Sequence, residues 1–271
     1  MNLRDMLLTF KMSAFGGGNS GGGDGPSTED ALVSGTLTSY TNDRLTSIVS
    51  HAFCYNAILT EVNFPAATSI GTYAFYQCKA LTKANIPKVT SIASSAFYGA
   101  SALTEANFPL VTSLAGTVFY DCIALTKVNF PVATSASSSG FYNCKVLTKV
   151  NFPAAASIED RAFGSCEALT EANFPVATSI NGTMAFFNCK VLAALILRSA
   201  TLCTLKNKAA FDGSSIKNGT GYIYVPAALV DTYKSATNWS NFAAQFRALE
   251  DYTVDGTTTG ELDPTKTGVQ T

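Results

Sequence analysis

Few side chains in this 271-residue chain are of a type, or at a spacing, that chemistry could use. His51 is the single histidine. A two-imidazole metal site is therefore excluded, and a serine or cysteine nucleophile would have that one ring as its only histidine base. His51 stands before an Ala-Phe pair, where Tyr73 and Arg161 stand before the same pair elsewhere, so it reads as an ordinary surface position of a repeat. Glycoside chemistry needs two carboxylates about 5–9 Å apart in a cleft. The outward acids Glu61, Glu105 and Glu171 instead alternate in one column with Lys83, Lys127 and Lys149. The glycine-rich stretch from Gly16 to Pro26 lacks a Gly-Lys-Ser/Thr ending and follows no strand pattern, so it is no phosphate loop. The sequence reads as no enzyme, with no catalytic, metal or cofactor-binding residues.

Seven cysteines are the other chemical resource. Cys78, Cys122, Cys144, Cys166 and Cys189 each follow a repeated phenylalanine by three residues, where Asn56 and Ala100 stand in other copies. A column shared by Cys, Asn and Ala is a small buried site. If the copies stack as parallel strands, neighbouring Cβ atoms stay near a spacing of about 4.8 Å, rather than closing to the roughly 3.8 Å of a disulfide. A linear ladder makes no tetrahedron, which weighs against zinc. Reduced, buried thiols are the expected state. Cys54 and Cys203 fall outside that column.

What must position these columns is a repeat. Leu59, Leu81, Leu103, Leu125, Leu147 and Leu169 recur every 22 residues. Each opens the pattern L-T-[EK]-[AV]-N-[FI]-P, followed by T-S-[IL] and then by A-F-x-x-C or a close variant. A fixed period of this length marks a solenoid, in which each copy buries its apolar face only against its neighbours. In the first segment Leu59, Val62 and Phe64 face inward while Glu61 and Asn63 face out, which makes a short strand. Pro65 and its equivalents Pro87, Pro109, Pro131, Pro153 and Pro175 lack an N–H, so they end the strand and turn a corner. T-S-I returns as a second extended piece, and A-F-x-x-C makes a tight or single-turn helical corner.

Two outer columns are candidate ligand surfaces. One is the strand face, with Asn63, Asn85, Asn107, Asn129, Asn151 and Asn173 beside Glu61, Lys83, Glu105, Lys127, Lys149 and Glu171. Stacked amides and alternating charges can serve purely to join coil to coil. Alternatively this flat polar face, with hydroxyls from Thr60, Thr82, Thr104, Thr126, Thr148 and Thr170, hydrogen-bonds a repetitive polymer such as a glycan. The other column follows the repeat phenylalanine: Tyr76, Tyr98, Tyr120, Tyr142, then Gly164, then Phe187. Aromatic side chains on an edge serve as interface anchors or as corner covers.

The ends of the chain depart from the period. Residues 1–13 place Leu3, Met6, Leu7 and Phe10 on one stripe of a short helix, which alone is too short to be stable in water. It is either a frayed terminus or a docking segment for a partner or a sister chain. Residues 14–30 form a Gly-rich flexible linker. The solenoid is expected over 31–221, with one residue inserted near Asn181-Gly182-Thr183-Met184. A C-terminal cap follows over 222–251, built of a strand at Tyr222–Val225, a helix from Pro226 to Ala236, and a second helix N-capped by Ser240 that carries Phe242, Phe246 and Leu249. Trp239 plugs the open end of the core. Residues 252–271 read as a loose tail.

Lys and Arg number 18 against 19 acids, a net charge of −1, so nothing attracts nucleic acid or an anionic membrane. No apolar run is long enough to span a bilayer, and residues 1–12 make a poor secretory signal. The fold class expected is a β-rich leucine-rich repeat solenoid, with parallel short strands and short helical or 3-10 corners, capped C-terminally by short helices.

The run LTEVNFPAATSIGTYAFYQCKAL resembles the BspA-like class of leucine-rich repeats, over about residues 37–211. The ending Tyr222 to Glu250, with its I-Y-V-P and T-N-W segments, is similar to the caps of such proteins. The resemblance implies a non-enzymatic adhesion or binding module on a bacterial surface or phage particle, whose partner is a protein or glycan on a cell surface. Its location would be extracellular or virion-associated, after a cytoplasmic stage and without a recognisable signal peptide. The alternative is a structural spacer that docks, or forms homo-oligomers, through its N-terminal helix.

Overall fold

A computed structural model describes residues 38–251 and the short strands Thr253–Val254 and Thr257–Thr258. The helix expected over 1–13, with Leu3, Met6, Leu7 and Phe10, and the linker 14–30 lie outside the described residues. So does most of the tail 252–271, whose two described strands pair antiparallel.

Each coil contributes two strands, one of three residues and one of two. The first kind forms a column from Ser39–Thr41 through Glu61–Asn63, Lys83–Asn85, Glu105–Asn107, Lys127–Asn129, Lys149–Asn151 and Glu171–Asn173 to Ala194–Ile196. Glu61 lies beside Lys83, Val62 beside Ala84 and Asn63 beside Asn85, all in parallel, so the sequence period is the structural period. The second kind runs from Ser47–Ile48 to Thr204–Leu205, pairing serine with serine and isoleucine with isoleucine. Backbone pairing in the first column is interrupted after Lys83–Asn85 and after Lys127–Asn129, then runs unbroken from Lys149–Asn151 into the cap.

The core is a set of ladders along the solenoid axis. Phe53, Phe75, Phe97, Phe119, Phe141, Phe163, Phe186 and Phe211 stack ring on ring, with centroids from 5.0 Å for Phe75–Phe97 to 5.7 Å for Phe163–Phe186. A second ladder follows the strand position, Phe108–Phe130–Phe152–Phe174, with Ile86 in the coil before. The repeat leucines, from Leu59 to Leu192, are wholly buried between them. Burying one such side chain stabilises by about 1.5–3 kcal/mol, and it needs the neighbouring coil as its other wall.

Of the two corner forms expected, tight or single-turn helical, the repeat corners take the tight one rather than a helical or 3-10 form. Between Thr41 and Asn207 no helix occurs among the described residues; the A-F-x-x-C segments are successive hydrogen-bonded turns. Two positions in most coils take positive φ. They are the column His51, Tyr73, Ser95, Thr117, Ser139 and Arg161, and four residues on, the column Tyr55, Gln77, Gly99, Asp121, Asn143, Ser165, Asn188 and Gly213. Amides at these positions point along the axis: Gln77 N donates to Tyr98 O, Asp121 N to Tyr142 O and Asn143 N to Gly164 O. A left-handed residue costs an L-amino acid about 1–2 kcal/mol. Here it aims an otherwise unpaired corner amide at the next coil.

The cap confirms Tyr222–Val225 as a strand and Val230–Ser235 as a short helix, preceded by a 3-10 turn at Ala227–Leu229. It corrects the second helix. Trp239–Gln245 is a 3-10 segment kinked at Phe242 (φ −121°), its N-cap residue is Asn238 rather than Ser240, and Phe246–Ala248 is a strand parallel to Tyr222–Val225. The apolar spacing Phe242, Phe246, Leu249 fits a helix, but the backbone prefers to pair the open edge of the last strand.

Candidate binding surfaces

No group of three or more His, Cys, Asp or Glu residues among the described ones is placed to hold a metal ion. His51 is exposed, with its ring 5.1 Å from that of Tyr73. All seven cysteines are free and buried. Burial pushes the thiols of Cys78, Cys166 and Cys203 from 9.0 up to about 12, and those of Cys122, Cys144 and Cys189 upward as well. Such thiols are poor nucleophiles and poor metal ligands, because both roles need the thiolate. Their hydrogens are already used: Cys78, Cys122, Cys144, Cys166 and Cys189 each donate to the carbonyl of the phenylalanine in the preceding coil, Phe53, Phe97, Phe119, Phe141 and Phe163 in turn.

The strand face brings its expected residues together, chiefly on one another. Asn85 Nδ2 donates to Asn63 Oδ1 at 2.7 Å, Asn129 to Asn107 at 2.8 Å and Asn173 to Asn151 at 2.8 Å. These bonds fall within the paired strands, not across the two interruptions of the column. Lys83 lies 3.0 Å from Glu61, and Lys149 3.4 Å from Glu171; Glu105 and Lys127 are register partners. The threonine hydroxyls, which on the ligand alternative would bond a polymer, are committed to the backbone at four positions: Thr60 donates to Thr38 O, Thr82 to Thr60 O, Thr126 to Thr104 O and Thr170 to Thr148 O. Exposed ion pairs of this kind are each worth well under about 1 kcal/mol. The face can still accept hydrogen bonds and present charge, but its donors largely serve coil-to-coil cohesion.

The aromatic edge is more open. Tyr76, Tyr98, Tyr120 and Tyr142 stack at 5.0, 4.7 and 4.8 Å with interplanar angles of 27°, 2° and 18°. All four are half-buried, as is Phe187 two coils beyond Tyr142. Partial burial raises the phenols of Tyr76, Tyr98 and Tyr120, and the neighbouring carboxylate of Asp121 pushes Tyr98 and Tyr120 further the same way. Tyr55 and Tyr73 lie edge-on to Tyr76 at 5.3 Å each and close that end of the stack.

Polar residues beside this edge escaped the column reading. Asn143 Nδ2 donates to Asp121 Oδ1 at 2.7 Å, forming a short amide–carboxylate ladder next to the rings. Arg161 Nη1 lies 3.3 Å from Asp160 Oδ2 and opposes the upward shift of Tyr120. Asp, Asn and Gly alternating in one 22-residue column is the available signal for Asp121 and Asn143, because these residues tolerate positive φ.

A family model described as the BspA type leucine rich repeat region matches residues 34–137 and 134–223, in six copies. Among solved structures, the chain is similar to a leucine-rich repeat protein from Eubacterium ventriosum, 28% identical with a TM-score of 0.52, over 63% of this chain and 47% of that one. It is also similar to the leucine rich repeat protein of T. pallidum, 22% identical with a TM-score of 0.49, over 54% of this chain and 72% of that one. The chain thus spans about half the length of the first of these proteins. No curated protein sequence matches it. With its leucine, phenylalanine and proline columns in register from coil to coil and the family model matched over residues 34–223, the chain belongs to the BspA-type leucine-rich repeat family.

Proposed function

We propose that this chain is a non-enzymatic binding module that acts in adhesion, displayed on a bacterial surface or a phage particle and directed at a protein or glycan of a cell surface. One observation carries the reading: among the described residues the outward asparagines of the strand face are held in a fixed lattice by bonds from coil to coil, while the thiols are buried in the core. A surface ordered before any ligand arrives loses little conformational entropy on binding. Tyrosine, with a large rigid ring and a polar tip, is the side chain best suited to use that order. Fold alone does not fix function, so the test is direct. Purified full-length chain, fluorescently labelled, is incubated with cultured epithelial cells and with immobilised extracellular-matrix protein. Saturable retention on either is expected; retention no greater than that of a denatured control overturns the reading.

A second reading, a structural spacer, is favoured by the extent to which the strand face satisfies itself. Its consequence is a chain that is retained on neither surface yet oligomerises through residues 1–13, which light scattering of full-length and truncated chains would register.

A further inference from the structure

The middle of the solenoid is held less fully than its ends. From Ser39 to Asn85, and again from Lys149 to Leu205, each coil joins the next through both strand columns, whereas three successive contacts between these stretches each lack one column. Two of the gaps lie in the first column. The third lies between them and is the single interruption of the second column among the described residues: Ser135–Ala136 does not pair with Ser113–Leu114. Ala115 N donates to Ile92 O and Glu159 N to Ala136 O, but Ser137 N makes no such bond to Leu114 O. The core changes at the same point. Ala136 stands in the column of Ile48, Ile70, Ile92, Leu114, Ile158 and Ile180 and lacks their branched chains. Leu114, in the preceding coil, is 6% exposed, against 0–2% for the isoleucines of that column. Gly140 likewise stands where Ala74, Ala96, Val118 and Ala162 stand. A Cβ there would collide with Ser137 Oγ, so the serine hydroxyl takes the place of the missing methyl. That hydroxyl is buried and has no hydrogen-bond partner among the described residues, a standing cost to the folded state.

We infer that the contact between the coils 103–124 and 125–146 is a built-in joint, which opens on its T-S-I side while the coils to either side stay folded. A solenoid is held by nearest-neighbour contacts, so its weakest contact opens at the lowest free energy and need not take the others with it. This contact combines a broken strand column, an underfilled core position and an unpartnered hydroxyl. What remains supplies the pivot. Thr117 N donates to Ser138 O, Phe119 N to Gly140 O and Asp121 N to Tyr142 O along the corner. Glu105–Asn107 also stays in register with Lys127–Asn129. Opening therefore tilts residues 38–124 against residues 125–251 and alters the curvature of the strand face. The gap after Lys83–Asn85 is no such joint, because Ser91 and Ile92 there pair with Ser113 and Leu114, and Ile92 fills its place in the core. The joint does not depend on what the chain binds, so it stands or falls apart from the adhesive function.

The test is limited proteolysis of the full chain under native conditions with a protease of broad specificity, the cuts within residues 38–251 being mapped by mass spectrometry. The first cut in the solenoid is expected between Leu114 and Gly140. Two reciprocal grafts use the chain's own sequence. Ala136→Ile with Ser137→Ala and Gly140→Ala makes residues 136–141 identical to residues 92–97. Cleavage at the joint should then slow about thirtyfold or more, the factor by which refilling an isoleucine-sized gap lowers the open population. Ile92→Ala with Ala93→Ser and Ala96→Gly transplants the defect, and a new cut is expected between residues 92 and 97. First cuts spread evenly along the solenoid or confined to its ends would overturn the joint. So would a folded graft cut as fast as wild type, or a reverse graft with no new cut. Should the first graft not fold, Ser137→Ala decides in its place: it removes only the unpartnered hydroxyl, so slower cutting supports the joint and unchanged cutting overturns it.

Discussion

The Sγ of Cys166 donates a hydrogen bond to the carbonyl oxygen of Phe141, 3.1 Å away in the preceding coil. Phe141 also stacks on Phe163, three residues before Cys166, with parallel rings 5.4 Å apart. Backbone, thiol and ring thus join the same two coils. The thiol column does not lie idle among the ladders: it occupies acceptor capacity on carbonyls that the corner turns leave facing the core.

Alkaline pH should loosen the solenoid through these thiols. Burial raises Cys78, Cys166 and Cys203 to about 12 from an ordinary 9.0, so the folded chain holds these protons more tightly than the unfolded one. A folded value above the unfolded one means the contribution is complete below 9.0 and is lost progressively as pH rises from 9.0 through about 12. The urea midpoint should be level around neutrality and fall across that window. A midpoint that holds level or rises there contradicts the assignment. Below pH 8 the same thiols should react with a maleimide only as fast as the chain unfolds.

Core and edge aromatics should separate sharply by stability. Phe141 is fully buried between Phe119 and Phe163, so Phe141→Ala should cost about 3–5 kcal/mol. Tyr98 is half exposed, and Tyr98→Ala should cost no more than about 1.5 kcal/mol, mainly the lost stacking on Tyr76 and Tyr120. Chemical denaturation of the two variants checks the order. Equal costs would mean the tyrosine stack is structural rather than a surface.

The columns that the period makes legible are those whose residue type stays constant. Leu59 and its copies, Pro65 and its copies, and the thiols of Cys78 and Cys122 all lie where a repeat that buries one face must place them. Positions with variable residues were not legible. Tyr73, Ser95, Thr117 and Arg161 share positive φ although nothing in their side chains asks for it; at Tyr73, Ser95 and Thr117 the requirement comes from the carbonyl of the next coil to which their own amides donate. At Phe246 the spacing reads as a helix, yet the free edge of Tyr222–Val225 decides for a strand, a tertiary demand that local pattern does not contain. On the strand face the threonine hydroxyls pointed outward as expected, but the carbonyl 22 residues earlier claims them.

Backbone strain at the corners should be measurable at Ser165, which has φ 58° and sends its amide to Phe187 O. Ser165→Gly relieves the left-handed cost but adds unfolded-state entropy, so stability should be unchanged or rise by up to about 1 kcal/mol. Ser165→Val places a β-branched residue where it fits worst and should destabilise by about 1–3 kcal/mol. Thermal unfolding of the pair reads the difference. If valine is tolerated as well as glycine, the corner is not left-handed in solution.

The C-terminal cap should control how the solenoid unfolds. Trp239 is wholly buried against Phe211, the last ring of the ladder, and its Nε1 donates to Cys203 O at 2.6 Å. The Cys203 amide donates to Tyr233 Oη at 2.8 Å, and Asn238 Nδ2 donates to Leu205 O and Lys206 O. The cap therefore satisfies backbone groups that a further coil would otherwise have taken. Trp239→Phe keeps the packing but orphans the Cys203 carbonyl, a loss of about 1–3 kcal/mol. Trp239→Ala also opens a cavity at the ladder's end and should cost about 3–5 kcal/mol. Because each coil touches only its neighbours, the damage should stay local. Hydrogen exchange should accelerate at Leu195, Ile223 and Tyr224 in Trp239→Ala while Val62 and Phe64 keep their protection. Uniform acceleration along the whole chain would show instead that the coils unfold as one unit, with no separate contribution from the cap.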